Sequence, residues 1–142
     1  MTTRETIRNI IEKYRSIAVY GMSKDPGKTA YWVPEYLDKK GYDITPVNPT
    51  AAVILKRKSY PDLKSVPKRI DVVLVFRRSE DALEPVKEAV ARKKERGDIS
   101  VVWLQQGIRN EEARKLAEES EIVFVQDRCM VHEYRMIYLM DE

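Results

Sequence analysis

The sequence predicts an α/β fold: a doubly wound parallel sheet of five strands with helices on both faces. Three observations carry this. Short runs rich in Val and Ile, such as 16–20 (SIAVY) and 70–76 (IDVVLVF), recur along the chain, and uninterrupted apolar runs of that length read as strands buried on both faces. Most are followed by an amphipathic stretch long enough to be the crossover helix that parallel strands require. The 142 residues, 43% hydrophobic and 35% charged, suit one domain over 1–142 with a single sizeable core.

Taken in order, residues 3–14 read as an amphipathic helix with Ile7, Ile10 and Ile11 on one face. The first strand, 16–20, closes at Gly21. A helix from Gly27 or Thr29 to Lys40 follows, stopped by Gly41. Residues 42–47 form the second strand, closed by Asn48-Pro49, and 50–67 are irregular with a short strand or hairpin around 53–60. The third strand is 70–76. Ser79 is placed to cap a helix over 80–96, with Glu80 and Asp81 in its first turn. A fourth strand at 100–104 (SVVWL), a helix capped by Asn110 and running through Glu119, a fifth strand at 122–125 (IVFV) and a helix over about 130–140 complete the chain. Right-handed crossovers then give a Rossmann-like sheet, with 3-2-1-4-5 as the expected strand order.

Composition narrows the function. The longest apolar runs, 51–55 and 72–76, are far too short to cross a bilayer. The opening MTTRETIRNIIEKY lacks the apolar core of a signal peptide, so a cytoplasmic location is expected. One cysteine allows no internal disulfide, and one histidine beside it argues against a Cys/His metal site. A net charge of +3, from 26 Lys/Arg against 23 Asp/Glu, does not describe a general nucleic-acid binder.

The position of the basic residues matters more than their number. Ligands on doubly wound sheets bind beyond the carboxyl ends of the strands. Those exits read Gly21-Met22-Ser23-Lys24, Asn48-Pro49-Thr50, Arg77-Arg78-Ser79, Gln105-Gln106-Gly107 and Gln126-Asp127-Arg128-Cys129. Lys24, Lys28, Arg77, Arg78 and Arg128 therefore gather at one edge, opposed only by Asp25 and Asp127. With the amides that open the following helix, such an edge suits a ligand with several negative charges. Basic residues that merely solubilise loops are the simpler reading for any one of them.

The stretch GMSKDPGKT, residues 21–29, invites a nucleoside-triphosphate loop, but five residues separate Gly21 from Gly27 where that motif has four. The third strand also ends in Phe76-Arg77-Arg78, the wrong charge for holding magnesium. A dinucleotide fingerprint fits no better. The G-x-G-x-x-G pattern is missing, and the second strand ends Val47-Asn48-Pro49 with no acid for ribose hydroxyls. A ligand with a phosphorylated ribose tolerates that better than NAD, so an NADP-dependent enzyme stays open.

GMSKDPGK after the first strand, VNP after the second, FRR after the third, VWLQQG across the fourth and DRC after the fifth together resemble the small stand-alone CoA-binding proteins. Those are related to the N-terminal CoA-binding domain of the succinyl-CoA synthetase α subunit. Met22 departs from the pattern, which favours a smaller residue there. The resemblance implies that CoA lies across the carboxyl edge of the sheet. The amides around Gly21, Met22 and Ser23 would hold its diphosphate, helped by Lys28, with Lys24 nearby. Val47, Asn48 and Pro49 would border the adenosine. Phe76 would flank the adenine, and Arg77 and Arg78 would approach phosphate oxygens. Gln105, Gly107, Asp127, Arg128 and Cys129 would line the remaining side. The charge agrees, since a diphosphate and a 3′-phosphate call for clustered cations.

The expected role is then a CoA or acyl-CoA binding or regulatory module, as a monomer or homodimer, with an acyl-CoA-using protein as a compatible partner. Nothing in the residues requires catalysis: one histidine and one cysteine build no Ser-His-Asp set. His132 falls in the last helix on a face the sequence does not assign. Cys129, beside Arg128 at that helix's start, suits either a mixed disulfide with the CoA thiol or a small unreactive packing role. Tyr31, Trp32 and Tyr36 read as core and cleft wall, and 56–58 (KRK) as a solvated loop within reach of the adenosine end. Met130, Met136, Ile137, Leu139 and Met140 read as helix packing, with a dimer contact as the other reading.

Overall fold

The computed structural model describes residues 2–139. In chain order the elements are α1 (Arg4–Lys13), β1 (Ser16–Tyr20), α2 (Thr29–Lys39), β2 (Asp43–Val47), β3 (Val53–Ile54), β4 (Arg57–Lys58), β5 (Val72–Val75), a single 3-10 turn (Ser79–Asp81), α3 (Leu83–Arg96), β6 (Val101–Leu104), α4 (Glu111–Glu119), β7 (Val123–Val125) and α5 (Met130–Tyr138). The five long strands pair in parallel, and β3 and β4 form a small antiparallel hairpin. This is the expected Rossmann-like α/β fold.

Alternation along the strands divides the core in two. Ala18, Val73, Val75, Val102 and Leu104 pack with Val86 and Ala89 of α3 and with Ala113 and Ala117 of α4. Ile17, Val19, Val72, Leu74, Val101 and Trp103 face the other way, onto Ile7, Ile10 and Ile11 of α1, Val33 and Leu37 of α2, and Met130 of α5. Each of the three α1 isoleucines is buried, which is worth about 1.5–3 kcal/mol apiece. Thr3 caps that helix by accepting from Thr6 N at 3.1 Å.

The strand order corrects the expectation. In space it is β2-β1-β5-β6-β7; counting the five long strands along the chain, this is 2-1-3-4-5 and not 3-2-1-4-5. The reason lies in β2. Residues that follow the hairpin cover its outer edge: Tyr60 N donates to Pro46 O at 3.1 Å, and Asn48 N donates to Tyr60 O at 2.8 Å. Pro46 has no N–H to offer on that side, which suits an edge strand and not an interior one. The third long strand, β5, therefore pairs with β1 on its free side. The reversal in strand order, where ligands dock, falls between β1 and β5.

One helix start also differs. Ser79 does not cap a helix over 80–96: residues 79–81 form the tight turn and α3 begins at Leu83. The Ser79 hydroxyl is engaged elsewhere, accepting from Arg109 N at 3.0 Å. Asn110 does cap α4, its Oδ1 accepting from Ala113 N at 2.8 Å. The hairpin expected around 53–60 is β3–β4, and Arg57 within it is tied to Asp38 and Asp43. The last helix ends at Tyr138, and Met140 lies outside the described residues.

At the amino ends of the strands sits a buried ion pair. Arg92 of α3, its side chain 2% exposed, meets Asp98 at 3.0 Å. Its remaining donors go to the carbonyls of Leu63, Val66 and Lys68 at 2.5–2.7 Å. Asp98 also accepts from Ile70 N, which positions the entry to β5. Every guanidinium N–H thus has an acceptor.

Candidate functional site

At the carboxyl ends of the strands the chain opens into a cleft of about 1450 Å³. Its first wall is the β1–α2 connection. Gly21 adopts φ +86°, and a Cβ there would sit 2.5 Å from the Phe76 carbonyl oxygen. The exits of β1 and β5 therefore touch through a glycine that no larger residue replaces without strain. Ser23 N donates to Ala30 O at 3.1 Å, binding the loop to the first turn of α2. Pro34 makes this possible: it lies four residues beyond Ala30 and has no N–H with which to claim that carbonyl. Asp25 folds the tip of the loop, its Oδ1 accepting from Gly27 N and its carbonyl from Lys28 N.

Past this turn α2 begins without a side-chain cap and without an acidic residue in its first turn. Tyr31 N already donates to Lys28 O at 2.9 Å, which leaves the amides of Thr29 and Ala30 at the head of the helix, where the positive end of its dipole gathers. Gly27, Lys28, Thr29 and Ala30 all line the cleft. A second helix start, that of α5, adjoins the cleft through Arg128, Cys129, His132 and Glu133, and its N-cap, Cys129, makes no side-chain capping bond.

The floor and far wall are laced together. Asn110 N donates to Gln126 Oε1 at 2.9 Å, and Asn110 Nδ2 donates to Ser79 O at 2.9 Å, joining the exits of β5, β6 and β7. Gln105, 4% exposed, accepts from Met130 N at 3.4 Å. Trp103 Nε1 donates to Arg128 O at 2.8 Å. Asp127 sits at φ +58°, with Oδ1 accepting from Gly107 N at 2.7 Å and Oδ2 facing Arg109 at 3.2 Å. The Gly107 amide, and then Arg109, hold its carboxyl below the usual aspartate range.

Of the residues singled out in the sequence, Lys28, Phe76, Arg77, Arg78, Gln105, Asp127, Arg128 and Cys129 line this cleft. Gly21, Met22, Ser23, Val47, Asn48, Pro49 and Gly107 do not. The side chains of Met22 and Val47 are in the core. Gly21 N donates to Val47 O, and with Ser23 N committed to Ala30, two of the three amides expected at a diphosphate are engaged within the fold. Asn48 shapes the rim, donating to Met22 O and accepting from Thr50. Lys24 lines a different hollow, of about 560 Å³, between α2 and the hairpin.

Trp32, expected as cleft wall, does line the cleft, while sequence reasoning missed Arg109, Arg114 and the orientation of His132, which line it too. Arg114 was not legible, because nothing in its own segment marks which way α4 turns.

Six cationic side chains and three carboxylates line the cleft. Arg78 pairs with Asp81, Arg109 with Asp127, Arg114 with Glu111 and Glu118, and Arg128 with Glu133. Among the described residues, no carboxylate is paired with Lys28 or Arg77. These two cations flank the open end of α2 and the gap between β1 and β5. No group of three or more metal-binding side chains is present among the described residues. Nor is any helix there long and apolar enough to cross a membrane.

Comparison with known proteins names the family. Residues 15–135 match the profile of the CoA binding domain. The chain belongs to that family. It is 36% identical over 128 residues to an uncharacterized protein of Bacillus subtilis, YneT, covering 90% of this chain and 91% of that one. It is 31% identical over 106 residues to an acetate–CoA ligase (ADP-forming) II of Archaeoglobus fulgidus, a match that takes in 73% of this chain but 15% of the ligase. A solved hypothetical protein of Pyrococcus horikoshii superposes with a TM-score of 0.88 at 38% identity, over 95% of this chain and 92% of that one. As a CoA-binding-domain protein, this chain spans nearly all of its small relatives and only a fraction of the ligase.

Proposed function

We propose that this protein binds coenzyme A, or an acyl-CoA, in the cleft at the carboxyl edge of its sheet, as a binding or regulatory module. The observation that carries the reading is the pairing of Lys28 and Arg77, both unengaged by carboxylates, with the uncapped start of α2. In this reading a diphosphate takes hydrogen bonds from the Thr29 and Ala30 amides that lead α2 and charge from both side chains. Membership of the CoA-binding-domain family supports CoA as the bearer of that diphosphate. Phe76 and Trp32 supply apolar walls for the uncharged parts of the ligand, and Arg78 and Arg128, already paired, add charge at the rim.

The residues named from the resemblance then divide by role. Lys28, Arg77, Arg78 and Arg128 meet phosphate. Gly21, Ser23, Asn48, Gln105, Gly107 and Asp127 hold the loops that present those groups. Met22 and Val47 act from the core, and Pro49 forms the outer rim. Cys129 reaches the cleft half-buried and adjoins whatever occupies it.

Thermal-shift measurements with CoA, NADP and ATP in parallel test the reading. CoA is expected to raise the melting temperature in a saturable way and by more than the other two. A larger, saturable shift with NADP or ATP and none with CoA overturns it.

A further inference from the structure

We infer that Tyr20 and Glu88 are positioning residues that aim Arg77 at the bound phosphates; this rests on the CoA reading above. Tyr20 is the last residue of β1, 8% exposed, on the sheet face that α3 covers. An apolar side chain would serve the packing there. Instead a phenol is buried, and its hydroxyl donates to Glu88 of α3. Burial, and then this hydrogen bond, push the tyrosine well above its ordinary pKa, so it stays neutral. The other oxygen of Glu88 accepts from Leu63 N at 3.1 Å, so the carboxylate is fixed from two sides.

Above the ring lies the Arg77 guanidinium, its central carbon 5.3 Å from the ring centroid. Its Nη1 approaches the site of the missing Gly21 side chain, 3.6 Å from where a Cβ would be. The cation thus rests on an aromatic face, and the carboxylate that grips the phenol strengthens the attraction. A planar guanidinium stacked this way keeps its donors in a fixed plane at the β1–β5 gap. Stacking leaves those N–H groups free for an anion, which a salt bridge would not.

The experiment is a double-mutant cycle on CoA affinity by calorimetry, using Arg77→Ala, Tyr20→Leu, Glu88→Gln and the two combinations with Arg77→Ala. Arg77→Ala is expected to weaken binding about tenfold, the cost of one charge-assisted contact. Tyr20→Leu is expected to cost roughly fivefold with Arg77 present and nothing further once Arg77 is gone. Glu88→Gln keeps the shape and an acceptor for the phenol. It carries the test alone if Tyr20→Leu does not fold, with about a twofold loss that also vanishes without Arg77. Penalties of equal size with and without Arg77 overturn the inference and leave CoA binding intact. A wild-type protein that gives no heat with CoA overturns the function and the inference together.

Discussion

Arginine is used in two opposite ways at the two ends of this sheet. At the amino ends, Arg92 is buried and every one of its donors is taken, by Asp98 and by the Leu63, Val66 and Lys68 carbonyls. At the carboxyl ends, Arg77 stands over Tyr20 with no carboxylate partner among the described residues. A saturated guanidinium in the interior can only hold structure. One held by its flat face keeps its edge for a ligand. Burial and pairing, not residue type, separate the arginine that holds the fold from the arginine proposed to meet a ligand.

The largest expected effect sits at the structural end. Arg92→Ala leaves Asp98 charged, buried and unpaired, together with three carbonyls. It should cost about 3–5 kcal/mol of unfolding free energy in denaturant titration. A loss below about 1 kcal/mol would show that the pair adds little and would blur the contrast.

Gly21→Ala comes next because it strikes the seam between the two functions. Its Cβ meets the Phe76 carbonyl in a backbone conformation that alanine resists, for about 2–3 kcal/mol. Since Arg77 Nη1 lies beside that position, CoA affinity should fall as well. A variant that keeps its affinity would mean that the seam serves packing alone.

Lys28→Ala sharpens the comparison from the binding side. It should weaken CoA about tenfold, some 1.4 kcal/mol, while moving the unfolding midpoint by little, since the side chain is exposed. A reversal of those two effects would place Lys28 with Arg92 among the structural cations.

The smallest effect concerns pH. The folded Asp127 has its pKa lowered by the Gly107 amide and Arg109. Its stabilising contribution is therefore complete above the ordinary aspartate value, about 3.9, and fades as pH falls through the lower folded value. Asp127→Asn should flatten the acid limb of a melting-temperature profile below about pH 4. Identical acid limbs would remove Asp127 from the lacing of the cleft.

The fold was legible because short β-branched runs such as VVLV and VVWL, each followed by a helical pattern, read as buried strands, and because Asn110 and Gly41 mark helix ends in their own vicinity. The strand order was misread although its signal was present: Pro46 forbids donation from one side of β2, which belongs at an edge. Ser79 misled because a serine ahead of a helix looks like a cap whether or not a distant amide, here that of Arg109, takes its oxygen. In the site, the strand exits told which segments meet, since topology alone brings them together. They did not tell which amides were free. Gly21 N and Ser23 N are spent on Val47 and Ala30, partners fixed by tertiary structure. Nor could the sequence separate Arg77 from Arg78, adjacent residues of which one rests on Tyr20 and the other pairs with Asp81.

The most direct test is calorimetric titration of CoA into the protein at two salt concentrations. If unengaged cations at the start of α2 and the end of β5 hold the phosphates, one site should saturate and its affinity should drop as salt rises. No heat at either salt, or an affinity indifferent to salt, would contradict the account.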